Sequence, residues 1–266
     1  MRLVSFEGGF GRVEDGKVVP MGPSLVDWLA FGIQGIATGT PRPLAEVKLL
    51  APVPRPGKVI CVGLNYRDHA KETGKAIPSE PVLFSKFANS VVGPGADVVV
   101  PPEAGKVDYE AELAVVIGRR ASRVAAADAL DHVAGYACAN DVSSRSLQFL
   151  SDQWLLGKAI DTFLPLGPYL VTAEEVPDPQ ALGIRCLVND ELRQDSDTGQ
   201  MVFGVAELIS YASRTITLEP GDLLVTGTPS GVGDGADPPR YLRDGDRMRV
   251  EVDGLGELEN TIRARL

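Results

Sequence analysis

The chain is short of cysteine, histidine and positive charge, and each shortage removes a class of function. Among 266 residues there are 3 cysteines and 2 histidines. Cys61, Cys138 and Cys186 lie in or beside apolar stretches, and none belongs to a CxxC pair. An odd count in such settings points to buried free thiols rather than a disulfide framework, and so to a reducing compartment. No apolar run approaches the ~20 residues that a bilayer-spanning helix needs. The opening Met-Arg-Leu-Val-Ser-Phe-Glu reaches an acid too soon for a signal peptide. The expectation is a soluble, cytoplasmic protein with no membrane partner. Lys and Arg number 26 against 36 Asp and Glu, a net charge of −10 with no basic stripe. A phosphate backbone would be repelled, so nucleic acid is not expected as a partner. A small anionic substrate stays possible, because a metal and a few local cations set the sign inside a pocket.

What is present is ordinary globular composition, with 44% apolar and 23% charged residues. Residues 1 to 20 read as a β-hairpin turning at Asp15-Gly16, followed by a short helix near Leu25 to Phe31. The proline-rich Ala51 to Gly57 is extended and linker-like, which sets a boundary between a small N-terminal domain, 1–54, and a main domain, 55–266. Strands are expected at 58–63, 81–85, 97–100, 110–117, 133–140, 165–171, 184–188, 222–226 and 247–253, and helices at 124–130 and 203–214. Strands outnumber helices and do not alternate with them, which predicts an α+β, mainly β fold rather than a doubly wound sheet.

The most informative stretch is Val107 to Ile117, VDYEAELAVVI. On a strand, Asp108, Glu110 and Glu112 share one face. Like charges at the mouth of a buried strand repel, unless a cation sits among them. Oxygen-only ligands suit Mg²⁺, Mn²⁺ or Ca²⁺ rather than zinc. The plainer alternative is a solvated acidic strand edge. His69 and Glu72, three apart, share a face if their segment is helical, and a carboxylate beside an imidazole makes a general base. The alternative there is an incidental surface ion pair. His132, at the end of an alanine-rich segment, reads as a helix C-terminal residue. An apolar strand ends at Asn140-Asp141, so Asp141 is either a turn residue or a third oxygen ligand from a neighbouring strand. Arg145 and Gln148 follow it. Lys158, in the apolar run WLLGKAI, needs a partner such as Asp161 or a substrate carboxylate. Thr228 opens the glycine-rich TPSGVGDG, whose amides could hold an oxyanion, although a plain loop explains it as well. Neither a phosphate-binding P-loop nor a dinucleotide fingerprint is present.

Six blocks in order then acquire a joint meaning: Val62-Gly-Leu-Asn-Tyr with His69 and Glu72, Pro81 to Lys86, Asp108 to Leu113, Asn140 to Ser143, Gly157 to Phe163, and Gly227 to Gly233. They resemble the fumarylacetoacetate hydrolase family over residues 55 to 266, closest to its short dimeric, acylpyruvate hydrolase-like members. The resemblance implies a twisted mixed β-roll with a small N-terminal domain, and a homodimer. It implies Mg²⁺ or Mn²⁺ on Glu110, Glu112 and Asp141, and a catalytic His69–Glu72 dyad on a lid. It also implies a substrate pocket lined by Arg145, Gln148, Lys158 and Thr228, with Lys158 stabilising an enolate. Asp108 then becomes a neighbour of the metal site, not a ligand. Ser146 departs from many relatives, which carry an acid or another polar residue there. The activity expected first is hydrolytic C–C cleavage of a 1,3-diketo acid of the acylpyruvate type through a pyruvate enolate. Isomerisation of 2-hydroxy-diene dioates and oxaloacetate decarboxylation use the same enolate and stand as alternatives. A non-catalytic metal-binding scaffold is a further alternative, disfavoured because the dyad and all three acids are present.

Overall fold

A computed structural model describes residues 1–31 and 39–265. The fold is mostly β, as the pattern of short strands predicts. One large sheet runs in the order Arg42–Pro43, Lys17–Gly22, Gly9–Glu14, Arg2–Phe6, Leu164–Thr172, Val133–Asn140, Ala111–Ile117, Leu223–Val225, Val59–Gly63, Val82–Lys86. A second sheet runs Glu191–Asp197, Gly183–Val188, Arg247–Val252, Gly256–Ala264, Asp97–Val100. Both contain parallel and antiparallel neighbours. No helix among the described residues is long and apolar enough to cross a membrane.

The strand Ala111–Ile117 is buried along its whole length, which explains its unbroken apolar run after Glu112. Its residues alternate between two cores. Leu113, Val115 and Ile117 pack with the second sheet, through Ile184 and Val250, and with Leu208 and Ile209 of the helix Val205–Ser213. Ala114 and Val116 pack on the other side with Leu3, Phe10 and Leu166. Each such aliphatic side chain contributes roughly 1.5–3 kcal/mol on burial.

The first residues join this architecture directly. Asp15 (φ 48°) and Gly16 (φ 71°) form the expected turn, with both residues in the left-handed region that two-residue hairpins favour. A third strand, Arg2–Phe6, lies beside the hairpin and pairs with the long strand Leu164–Thr172. Hydrogen bonds therefore connect residues on both sides of the boundary placed at residue 54, and Leu3, Phe10 and Leu25 share a core with Leu164 and Leu170.

Two local expectations change. The alanine-rich segment forms a 3₁₀ helix, Ala126–His132, rather than an α-helix at 124–130. It has no side-chain cap, and its first turn closes through the tighter three-residue bond, Asp128 N–H donating to the Ala125 carbonyl at 3.0 Å. The acidic segment is not one continuous strand either. Val107–Asp108 pairs with Ser143–Ser144, and the strand resumes at Ala111.

Candidate active site

Strand register brings the three acids together. Ala111 lies opposite Asn140, so Glu110 and Asp141 sit just beyond the ends of adjacent strands. Asp141 N–H donates to the Glu110 carbonyl at 2.8 Å, and Glu110 N–H donates to Asn140 Oδ1 at 3.0 Å. Glu112, two residues along, reaches the same point. One oxygen from each of Glu110, Glu112 and Asp141 lies within 4.8 Å of the others, and all three residues are buried. Asp108 points elsewhere because the backbone breaks between it and Ala111. Its carboxylate accepts from Arg145 Nε at 2.9 Å and Nη2 at 2.7 Å, and from the backbone N–H groups of Gly233 and Asp234.

Three cations face the acids. Lys158 Nζ donates to Glu110 Oε2 at 2.7 Å and Asp141 Oδ2 at 2.6 Å. Asp161, one of the two partners expected for Lys158, instead accepts from Asn89. Arg145 Nη1 lies 2.7 Å from Glu110 Oε1 and donates to Gln148 Oε1 at 3.0 Å. Lys86, which sequence reasoning gave no role, donates to Asp141 Oδ1 and to the Val142 carbonyl. A lysine closing the largely apolar strand Val82–Lys86 was the available signal, since fully buried lysines are paired.

The charges are unevenly matched. Burial alone pushes Glu110 upward, but the charges of Lys158 and Arg145 outweigh it and hold the carboxyl down to about 2. Glu112 has no ion pair among the described residues and accepts from Gly227 N–H at 2.6 Å. Burial first, then the neighbouring Asp141 and Glu110, pushes its carboxyl well above the ordinary carboxylate range. Three oxygen donors that lack positive charge at one member fit a divalent cation of the Mg²⁺ or Mn²⁺ kind.

The His69–Glu72 pair sits on the helix Arg67–Thr73, which Gly74 ends in a left-handed conformation (φ 65°). His69 Nδ1 lies 3.0 Å from Glu72 Oε2. The other oxygen, Glu72 Oε1, accepts from Gly231 N–H at 2.8 Å. Only glycine suits position 231, where φ is +98° and a Cβ would lie 2.1 Å from the Arg193 carbonyl oxygen. Asp68 ties the same helix down, its Oδ2 accepting from Ser196 Oγ at 2.6 Å. The glycine-rich loop thus serves the protein's own acids. Its amides at Gly227, Gly231, Gly233 and Asp234 are committed to Glu112, Glu72 and Asp108.

A cavity of about 490 Å³ joins these groups, lined by His69, Glu72, Glu110, Glu112, Arg145, Gln148, Lys158 and Thr228. Asp141 lies beneath them, fully buried. Thr228 Oγ1 accepts from Gln194 Nε2 at 2.8 Å. Ser146 turns away, its hydroxyl accepting from Lys106 N–H at 3.0 Å. His132 lies on the far segment, its Nδ1 3.3 Å from the Arg119 carbonyl. Sequence reasoning gave no role to Phe84, Phe149 and Trp154, which supply an apolar wall to this cavity.

The chain is similar to known enzymes. A bovine (Bos taurus) mitochondrial oxaloacetate tautomerase is 51% identical over 232 residues, covering 86% of this chain and 74% of that protein. The solved structure of 2-hydroxyhepta-2,4-diene-1,7-dioate isomerase from Mycobacterium marinum is 35% identical, with a TM-score of 0.85, covering 100% of this chain and 99% of that one. Maleylpyruvate hydrolase from Sphingobium sp., solved with manganese(II) and pyruvate, is 33% identical with a TM-score of 0.84, covering 100% of both chains. Residues 58–263 match the fumarylacetoacetate (FAA) hydrolase C-terminal family. With that match over most of its length, the chain belongs to the fumarylacetoacetate hydrolase family of enzymes.

Proposed function

We propose that the enzyme catalyses keto–enol tautomerisation of a 2-oxo dicarboxylic acid of the oxaloacetate type, with His69 as proton carrier. The observation that carries this reading is one cavity lined by the His69–Glu72 pair and, beside it, the cluster of Glu110, Glu112 and Asp141. The 51% identity to an oxaloacetate tautomerase and the likeness to a diene-dioate isomerase support it.

Glu110, Glu112 and Asp141 would hold Mg²⁺ or Mn²⁺, which when bound supplies Lewis-acid polarisation of a 2-oxo group. The chain's own residues handle the proton. Glu72 engages Nδ1 and so fixes the tautomer that leaves Nε2 as the base. Nε2 removes a proton from the carbon between the oxo group and the distal carboxylate. The electron pair of that C–H bond becomes the C=C bond, and the carbonyl oxygen gains the negative charge. The imidazolium returns its proton to that oxygen, giving the enol and neutral His69. Arg145 and Lys158 place positive charge beside the developing oxyanion.

Hydrolytic cleavage of an acylpyruvate, the activity expected first from sequence, is the second reading. There His69 would take its proton from water. Likeness to maleylpyruvate hydrolase speaks for it, at 33% identity against 51% for the tautomerase. The free thiols suit a reducing compartment, the cytoplasm by the sequence reading and the mitochondrion in the bovine relative's name. A homodimer is the assembly proposed for the working enzyme.

The test offers enol-oxaloacetate and acetylpyruvate to the enzyme with Mg²⁺, with Mn²⁺ and after EDTA. Ketonisation of oxaloacetate should accelerate with metal and return to the buffer rate after EDTA, with little pyruvate released from acetylpyruvate. Rapid pyruvate release from acetylpyruvate without faster ketonisation would establish the hydrolase instead. Pyruvate formed from oxaloacetate itself would establish the decarboxylase.

A further inference from the structure

Gln194 is fully buried, while the other residues of its strand, Glu191–Asp197, are exposed or half-buried. It does not line the cavity. A glutamine in such a place is destabilising unless its amide is satisfied, and methionine or leucine would fill the position without that demand. Three hydrogen bonds satisfy it. Oε1 accepts from the Ala111 N–H at 2.9 Å. Nε2 donates to the Pro229 carbonyl at 3.0 Å and to Thr228 Oγ1 at 2.8 Å. Ala111 lies between Glu110 and Glu112, so one amide ties the strand that carries two of the acids to the loop that carries Thr228.

These partners fix which way the amide faces. A backbone N–H only donates and a carbonyl only accepts, so Oε1 must face Ala111 and Nε2 must face Pro229. The amide nitrogen carries two hydrogens. One goes to Pro229 and the other to Thr228. Thr228 Oγ1 is therefore an acceptor on that side, and its own proton points elsewhere. Among the described residues that proton has no acceptor, although Thr228 is only 5% exposed. What Thr228 does face is the cavity, whose lining it shares with Glu112, Arg145 and Lys158. A buried donor left without a partner is unfavourable, and a ligand oxygen placed there relieves it.

We propose that Gln194 is a positioning residue that commits the Thr228 hydroxyl to donate into the cavity. That wall then takes a ligand oxygen, of a carboxylate or an enolate, and disfavours a ligand N–H or O–H. Gln194 acts only through Thr228. The identity of the ligand as a 2-oxo acid rests on the proposed function. The polarity of the hydroxyl does not, because the chain's own hydrogen bonds set it.

The probe is oxalate, which carries oxygens on adjacent carbons as a 2-oxo acid does and has no proton to move between carbon and oxygen. Its binding to the Mg²⁺-loaded enzyme is measured by calorimetric titration, with oxaloacetate ketonisation and thermal unfolding followed on the same preparations. Thr228→Val should weaken oxalate by ~10-fold or more, the size of a hydrogen bond to a charged group. Thr228→Ser keeps the hydroxyl and should bind within ~3-fold of wild type. Gln194→Met removes the amide and frees the Thr228 proton to turn away from the cavity. In that background Thr228→Val should weaken oxalate by only ~3-fold or less, because the two residues act as one unit. If the methionine protein does not fold, Gln194→Glu keeps the shape. Its carboxylate draws the Thr228 proton to itself, and the same collapse of the Thr228→Val factor is expected. A Gln194 that merely fills space leaves that factor as large as in the wild type. That result, or a Thr228→Val protein that binds oxalate as the wild type does, overturns the proposal even if oxaloacetate is ketonised. A factor that collapses in a protein that does not ketonise oxaloacetate upholds the role of Gln194 and removes the tautomerase reading instead.

Discussion

Glu72 holds His69 Nδ1 at 3.0 Å with one carboxylate oxygen and the Gly231 N–H at 2.8 Å with the other. The general-base candidate is thereby coupled to the glycine-rich loop, whose further amides hold Glu112 and Asp108. One loop positions the dyad, a member of the acid triad and the carboxylate behind Arg145.

Gly231→Ala should disturb this arrangement in two ways. The new Cβ would meet the Arg193 carbonyl at 2.1 Å in a backbone conformation of φ +98°. The change should destabilise by more than the ~1 kcal/mol by which alanine can stabilise at a position that tolerates it, seen as a fall in Tm. Turnover should fall further than stability alone explains, because Glu72 loses its anchor. Thermal unfolding and kcat on one preparation check both.

The acids should divide by function rather than by spacing. Glu112→Gln and Glu110→Gln should lose bound Mg²⁺ or Mn²⁺, while Asp108→Asn should retain it, as read by calorimetric titration. Asp108→Asn should instead weaken the hold on Arg145, which its carboxylate contacts at 2.7 and 2.9 Å. Arg145 keeps its contact with Glu110 at 2.7 Å, so the destabilisation should fall below the ~3–5 kcal/mol of a buried charge left wholly unpaired.

The thiols give a pH prediction. Burial pushes Cys61 and Cys186 well up and Cys138 up to about 12. In the unfolded chain they ionise near ~8.5. The folded values are raised, so the stability they contribute is complete below that pH and is lost as pH rises above it, where only the unfolded state releases protons. Urea midpoints should therefore decline on the alkaline side. A thiol-specific disulfide reagent at about pH 8 should find no reactive cysteine in the native protein and three after denaturation.

Much of this was legible in the sequence because the signals were local. The buried strand Ala111–Ile117 shows as an apolar run, and the Asp15-Gly16 turn as a dipeptide. The strands Glu191–Asp197 and Gly256–Ala264 were not anticipated. Their sequences, ELRQDSD and GELENTIRA, are mostly polar, and pairing with neighbours makes them strands. The site divides in the same way. Residue spacing nominated Asp108 as readily as Glu110, and a two-residue interruption of the strand, invisible in composition, turned it toward Arg145. Lys86 and the aromatic wall went without roles, because their meaning depends on which strands and helices meet at the cavity.

In the proposed reaction His69 moves the proton between carbon and oxygen of a 2-oxo dicarboxylic acid. The direct measurement is the rate of enol-oxaloacetate ketonisation, followed by ultraviolet absorbance, for wild-type and His69→Ala enzymes equally loaded with Mg²⁺. The wild-type enzyme should accelerate the reaction, and His69→Ala should lose roughly 10²- to 10⁴-fold in kcat while binding the metal as before. A His69→Ala enzyme that ketonises oxaloacetate at the wild-type rate, or a wild-type enzyme no faster than buffer, contradicts the account.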